Sequence, residues 1–181
     1  MPTATLTAPS AKTIRLTEHA AMTGRVDREA GVIRGVRILG RVSKNGREYS
    51  DHAMSQAAEM YEGVGVFCDH ARSPKDTRSV SSKIGWLSNI RLGSGEVRGD
   101  LNVLRSHPMA EMVLEAAERN PKLVGLSHHA DGATVRRGGK NVVESIERVH
   151  SVDVVHNPAT NSGLFESSFV EDSALMPPDP I

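Results

Sequence analysis

Serine, histidine and acidic side chains stand at the ends of apolar runs in this sequence. Phe67-Cys68-Asp69-His70 closes the apolar stretch that begins at Val64, Ser127-His128-His129 follows the apolar Lys122 to Leu126, and Asp153 lies late in the strand-like Val142 to Val155. A hydroxyl at its ordinary pKa is a poor nucleophile. A serine that does acyl chemistry therefore needs a base within hydrogen-bond reach and a third group to orient that base. Ser127, His70 and an acid meet that need. Gly125-Leu126-Ser127-His128-His129 is not the G-x-S-x-G elbow, because His129 occupies the second glycine position, so an α/β-hydrolase is disfavoured and the serine is expected at the end of a strand. A second chemistry would gather Cys68, His70, His128 and His129 around zinc, which takes N and S ligands at about 2.0–2.3 Å. Cys-x-His beside adjacent histidines is not a recurrent zinc spacing, and neighbours on a strand point to opposite faces.

The elements that must position these residues belong to one mixed domain. The 181 residues are 38% hydrophobic and 24% charged, a globular composition with a core. The formal net charge of +0 removes the long-range attraction by which most nucleic-acid binders collect phosphates, so no nucleic-acid partner is expected. A single cysteine, Cys68, excludes an internal disulfide and points to a reducing cytoplasm. No stretch approaches the roughly 20 apolar residues of a membrane span. Residues 1–13 read as a flexible arm, 14–166 as the domain, and 167–181, with Pro177, Pro178 and Pro180, as a flexible tail.

Gly31 to Val42 alternates as a strand and Lys44-Asn45-Gly46 turns it. Ser50 caps a helix with an apolar stripe of Ala53, Met54, Ala57 and Tyr61, ended by Gly63. Val64 to Phe67 is a short strand, and Arg72 to Ser82 is a polar loop beside a cleft. Lys83 to Leu92 and Glu96 to Leu104 form a hairpin about Gly93-Ser94-Gly95, with the sole tryptophan, Trp86, expected in the core. Pro108 opens a second helix with a stripe of Met109, Met112, Val113, Ala116 and Ala117. The last hairpin turns at Gly138-Gly139 with Arg136, Arg137 and Lys140 at a solvated tip. Folding back there sets residue 127 opposite 150, and a bulge at Asp131-Gly132 would shift this by a few residues. Asp153, between Val152 and Val154, would by default face solvent from a sheet with one wet face.

Four blocks in order resemble the signature blocks of tailed-phage prohead proteases: Gly40 to Ser50 with its Asn-Gly-Arg-x-Tyr turn, Phe67-Cys68-Asp69-His70, Gly125-Leu126-Ser127, and Val152 to Ala159. The similarity covers about residues 31 to 165. It implies an α+β fold like that of the related herpesvirus assemblins, with a mainly antiparallel β-barrel-like core and two or more surrounding helices. It also implies a serine endopeptidase that cleaves scaffold and major capsid proteins, and itself, inside the immature head in the host cytoplasm. Ser127 matches the nucleophile and His70 the base. Asp153 matches the aspartate of an Asp-x-Val-x-x-Pro block, with His150 and Glu144 as rivals for the third role. His129 stands where the family often has arginine two residues after the nucleophile, which leaves backbone N–H groups of His128 and His129 as oxyanion donors. The resemblance further implies a homo-oligomer, no cofactor, and self-cleavage near Ser173-Ala174-Leu175. The competing readings are a zinc-dependent hydrolase built on Cys68, His70, His128 and His129, and an inactive protein associated with capsid assembly or scaffold.

Overall fold

A computed structural model describes residues 26–71, 78–156, 158–160 and 163–165. The expected arm and tail, the boundaries at 14 and 166, the segment at Ser173-Ala174-Leu175 and residues 72–77 of the polar loop lie outside them. Among the described residues one sheet holds β1 (Val26–Asp27), β2 (Val32–Gly40), β3 (Arg47–Tyr49), β4 (Gly65–Cys68), β5 (Lys83–Gly93), β6 (Glu96–Val103), β7 (Gly125–Arg137) and β8 (Lys140–Val155). Two helices join it, α1 (Asp51–Met60) and α2 (Ala110–Arg119). No helix among the described residues is long and apolar enough to cross a membrane.

The strands run in the order β1-β2-β6-β5-β4-β8-β3, with β7 on the other flank of β8. All ladders are antiparallel except β3 and β4 against β8. The fold is thus α+β and mainly antiparallel, as expected, but the sheet is open. No ladder among the described residues joins the β1 edge to β3 or β7, which corrects the expected barrel. Closure needs the outer strands to pair with each other, and here β1 is two residues long while β8 spends both its flanks on β7, β3 and β4.

Local chemistry places the pieces around β8. The Ser50 hydroxyl accepts from Ala53 N at 3.1 Å and starts α1, whose Ala53, Met54 and Ala57 are buried together with Tyr61 at its end. Ser94 and Gly95, both at positive φ, turn β5 into β6. Two expectations are corrected. Trp86 is 41% exposed: a bulge at Ile84 lets Ile84 and Leu87 take the interior, and the indole turns outward. In α2, Leu114 is buried and Met109 exposed, so the buried face is rotated from the expected stripe.

The β7–β8 hairpin carries the largest departure. Arg137 opposes Lys140 at the tip, but three register shifts follow, and Ser127 meets Asp153 rather than His150. The β8 residues left without an opposite number are Glu144, Glu147 and His150. Between them, Val143, Ile146, Val149 and Val152 recur every third residue opposite Thr134, Gly132, Ala130 and His128. A strand alternates faces every second residue, so an apolar period of three stays on one face only if each step holds one extra residue. At the middle bulge a Cβ on Gly132 would lie 2.2 Å from the Ser145 carbonyl oxygen. Gly132→Ala is expected to cost about 1–3 kcal/mol, read as a melting temperature several degrees lower; an unchanged melting curve would contradict the bulge geometry.

Candidate active site

β8 is the platform of the site because it has a strand on each side at its C-terminal end. Phe67 of β4 pairs Asp153, and Asp153 pairs Ser127 of β7, so the three form one lateral row whose side chains share a face of the sheet. The rows on either side, Val66–Val152–His128 and Cys68–Val154–Leu126, point the other way. Val66, Val152 and Leu126 are fully buried, so that second face is the core. Ser127 and Asp153 therefore stand together on the face opposite it.

His70 reaches Asp153 through a tight turn beyond β4. Asp69 takes φ +59°, an uncommon left-handed conformation for a residue with a side chain, and its N–H donates to Val154 O at 3.0 Å. The turn sets His70 Nδ1 at 2.9 Å from Asp153 Oδ2. With the carboxylate as acceptor, Nδ1 carries a ring proton, and in the neutral ring that leaves Nε2 as the acceptor. The acid is 1% exposed and the imidazole 58%, so an anchored carboxylate holds a ring that is open to incoming molecules. This corrects the solvent-facing default for Asp153. Two further donors satisfy the buried carboxylate: the Ser151 hydroxyl at 3.0 Å and Arg78 Nη2 at 3.2 Å, both to Oδ1. An unpaired buried carboxylate would cost several kcal/mol of solvation.

The rivals for the third role are engaged elsewhere. His150 Nε2 lies 2.8 Å from Asp131 Oδ2 and its ring packs 5.0 Å from that of His129, while Glu144 pairs with Arg137 at 2.6 Å. Both are bulge residues of β8. The four zinc candidates do not converge: Cys68 and His128 lie in core-facing rows, His129 is one step along β7 on the other face, and His70 is held by Asp153. Burial, with the Asp69 charge adding to it, pushes the Cys68 thiol up and away from the thiolate that a metal would need. Among the described residues no group of three or more metal-ligating side chains gathers.

His128, next to Ser127, is clamped from two elements. Tyr49 at the end of β3 places its hydroxyl 2.9 Å from Nε2, and Tyr61 at the end of α1 places its own 2.8 Å from Nδ1. The ring stands at the edge of a cavity of about 350 Å³ that Arg47, Thr134 and Ile146 also line. Desolvation first, then the charges of Arg47 and His129, hold His128 down to about 4, so it is neutral at pH 7. In the unfolded chain it titrates near 6.5. Its contribution to stability is therefore fully present above about pH 6.5 and is lost as pH falls toward 4. Unfolding midpoints are expected to drop across that window in the wild type and to drop less in His128→Asn; parallel curves would contradict the clamp.

The backbone N–H groups of His128 and His129 are the expected oxyanion donors. Among the described residues β7 pairs only with β8, and antiparallel neighbours alternate in turning N–H toward or away from the partner. His128 and His129 sit in unbroken register with Val152 and Ser151, so one of them directs its N–H away from β8. Sequence reading missed Arg78, Ser151 and the two tyrosines. Arg78 lay in a polar stretch with the composition of any surface loop, and Tyr61 read only as part of an apolar stripe.

No family model matches this chain, and no curated protein matches it in sequence. Among solved structures it is similar to the capsid assembly protease gp21 of bacteriophage T4, with 14% identity over 70% of this chain and 82% of that one and a TM-score of 0.48.

Proposed function

We propose that the chain is a serine endopeptidase in which Ser127 is the nucleophile, His70 the general base and Asp153 the group that orients the base. The observation that carries this reading is the 2.9 Å hydrogen bond from His70 Nδ1 to a buried Asp153 that stands opposite Ser127 in the β7–β8 ladder. With the proton on Nδ1, the lone pair of Nε2 is the one that serves as base toward the Ser127 hydroxyl in this mechanism. As Ser127 Oγ attacks a scissile carbonyl, Nε2 takes its proton and then returns it to the leaving amine. The Asp153 carboxylate stabilises the imidazolium between the two transfers. Water repeats the sequence on the acyl-enzyme, with His70 again as base. Of His128 and His129, the one whose backbone N–H points away from β8 serves the tetrahedral oxyanion; one such donor contributes about 3 kcal/mol in known sites. The mechanism uses no cofactor.

The substrates in this reading are major capsid and scaffold proteins, and the chain itself, cut inside an immature phage head in the host cytoplasm. The four sequence blocks support it, because three of them supply His70, Ser127 and Asp153 in the chain order of the matching blocks of prohead proteases. The test is mass spectrometry of the chain co-expressed with the capsid and scaffold proteins encoded beside it, wild type next to Ser127→Ala. New termini in the wild type alone are expected, and they would read out the cleavage preference. Identical masses in both would overturn proteolysis and favour an inactive assembly protein.

A further inference from the structure

We propose that Arg78 is a positioning residue of this site, seating the Asp153 carboxylate and pinning the turn that carries His70 with a single guanidinium group. The inference rests on the Ser127–His70–Asp153 reading and adds to it a residue from the loop after β4. Arg78 Nη2 lies 3.2 Å from Asp153 Oδ1, donates to Asp69 O at 2.7 Å and reaches Cys68 O at 3.4 Å. One nitrogen thus ties the acid on β8 to the backbone immediately before His70. The guanidinium carbon lies over the Phe67 ring, 4.6 Å from its centroid, and Phe67 is the β4 member of the row that holds Asp153 and Ser127. This cation–π contact holds the guanidinium at the β4 end of the row, away from the Ser127 end.

Two features separate this from a surface ion pair. The side chain is 17% exposed, and its Nη1 is buried with no hydrogen-bond partner among the described residues. A loop arginine free to choose would keep that nitrogen in water, so what holds it down is what Nη2 and the guanidinium carbon touch. The residue it steadies is also the one that needs steadying: Asp69 holds a left-handed conformation, which persists where its surroundings over-determine it. Its N–H is fixed by Val154 O and its carbonyl by Arg78. Lysine could supply the charge but not a flat cation over the Phe67 ring.

The full-length chain is treated with a fluorophosphonate, which phosphonylates an activated serine with loss of fluoride, and the adduct is mapped and timed. In Arg78→Ala the maximal labelling rate at Ser127 is expected to fall about 10²-fold with little change in the half-saturating probe concentration, as for a misplaced catalytic group. Added guanidinium ion should restore part of that rate, which a general loss of structure would not allow. Arg78→Lys, which keeps the charge, is expected to remain at least several-fold slow, and it decides the matter if Arg78→Ala does not fold. A folded Arg78→Ala that labels at the wild-type rate, or an Arg78→Lys that does so, overturns the positioning role while leaving the serine reading intact. A wild type that shows no adduct at Ser127 overturns both.

Discussion

Replacing Ser127 with alanine is expected to lower substrate cleavage by about 10³-fold or more while leaving the melting temperature close to that of the wild type. The substitution removes one oxygen from a half-buried position near the start of β7, where the neighbouring Leu126 supplies the packing. The fold therefore loses little. In the proposed mechanism the chemistry loses the atom that forms the acyl bond, and what rate remains comes from substrate binding and the oxyanion donor. His70→Ala should cost a similar factor, and the double variant little more than either single one, because residues that act as a unit are strongly non-additive. Initial-rate assays on a processed capsid or scaffold segment, beside thermal melts, check both halves. Full activity in Ser127→Ala would remove the nucleophile from the account.

Asp153→Asn should differ in kind, losing both activity and stability. The amide keeps the shape but can present an N–H to His70, which selects the wrong tautomer; in an established triad this change costs about 10⁴-fold in kcat. Its effect on the fold comes from Arg78. That side chain is 17% exposed and its ionic partner is the Asp153 carboxylate, so neutralising the acid strands a largely buried cation. Removing one member of a buried pair costs about 3–5 kcal/mol, and the lower end applies because the amide oxygen still accepts. For a chain of this size each kcal/mol moves the melting temperature by about 2–4 °C, so a fall of order 10 °C is expected. An Asp153→Asn protein as stable and as active as the wild type would assign the buried acid to neither role.

The sequence was informative where an element is set locally. The places of Ser127 and His70 beside strands were legible because each follows an apolar run, and Ser50 was legible as a cap because its hydroxyl serves the N–H three residues on. The residue opposite Ser127 was less so, since it depends on register along the whole hairpin from Ser127 to Asp153. Yet the signal was present: Val143, Ile146, Val149 and Val152 repeat every third residue, which a regular strand cannot keep on one face. Counting back from the Gly138-Gly139 turn without those three bulges places His150 opposite Ser127; with them, Asp153 takes the place. Arg78 had no such signature. Its partners, Phe67, Asp69 and Asp153, are brought together by β4 and β8, and nothing in a polar loop distinguishes the arginine that folds inward. The open sheet was likewise a matter of tertiary pairing, settled by how β8 divides its two flanks.

The central claim is that Ser127 is activated by His70, and the most direct test is the site of covalent modification by a fluorophosphonate on the full-length chain, with His70→Ala as the companion. A single adduct on Ser127, formed in the wild type and lost in His70→Ala, is the predicted result. No adduct, an adduct on a different serine, or labelling of Ser127 that is indifferent to His70 would contradict it.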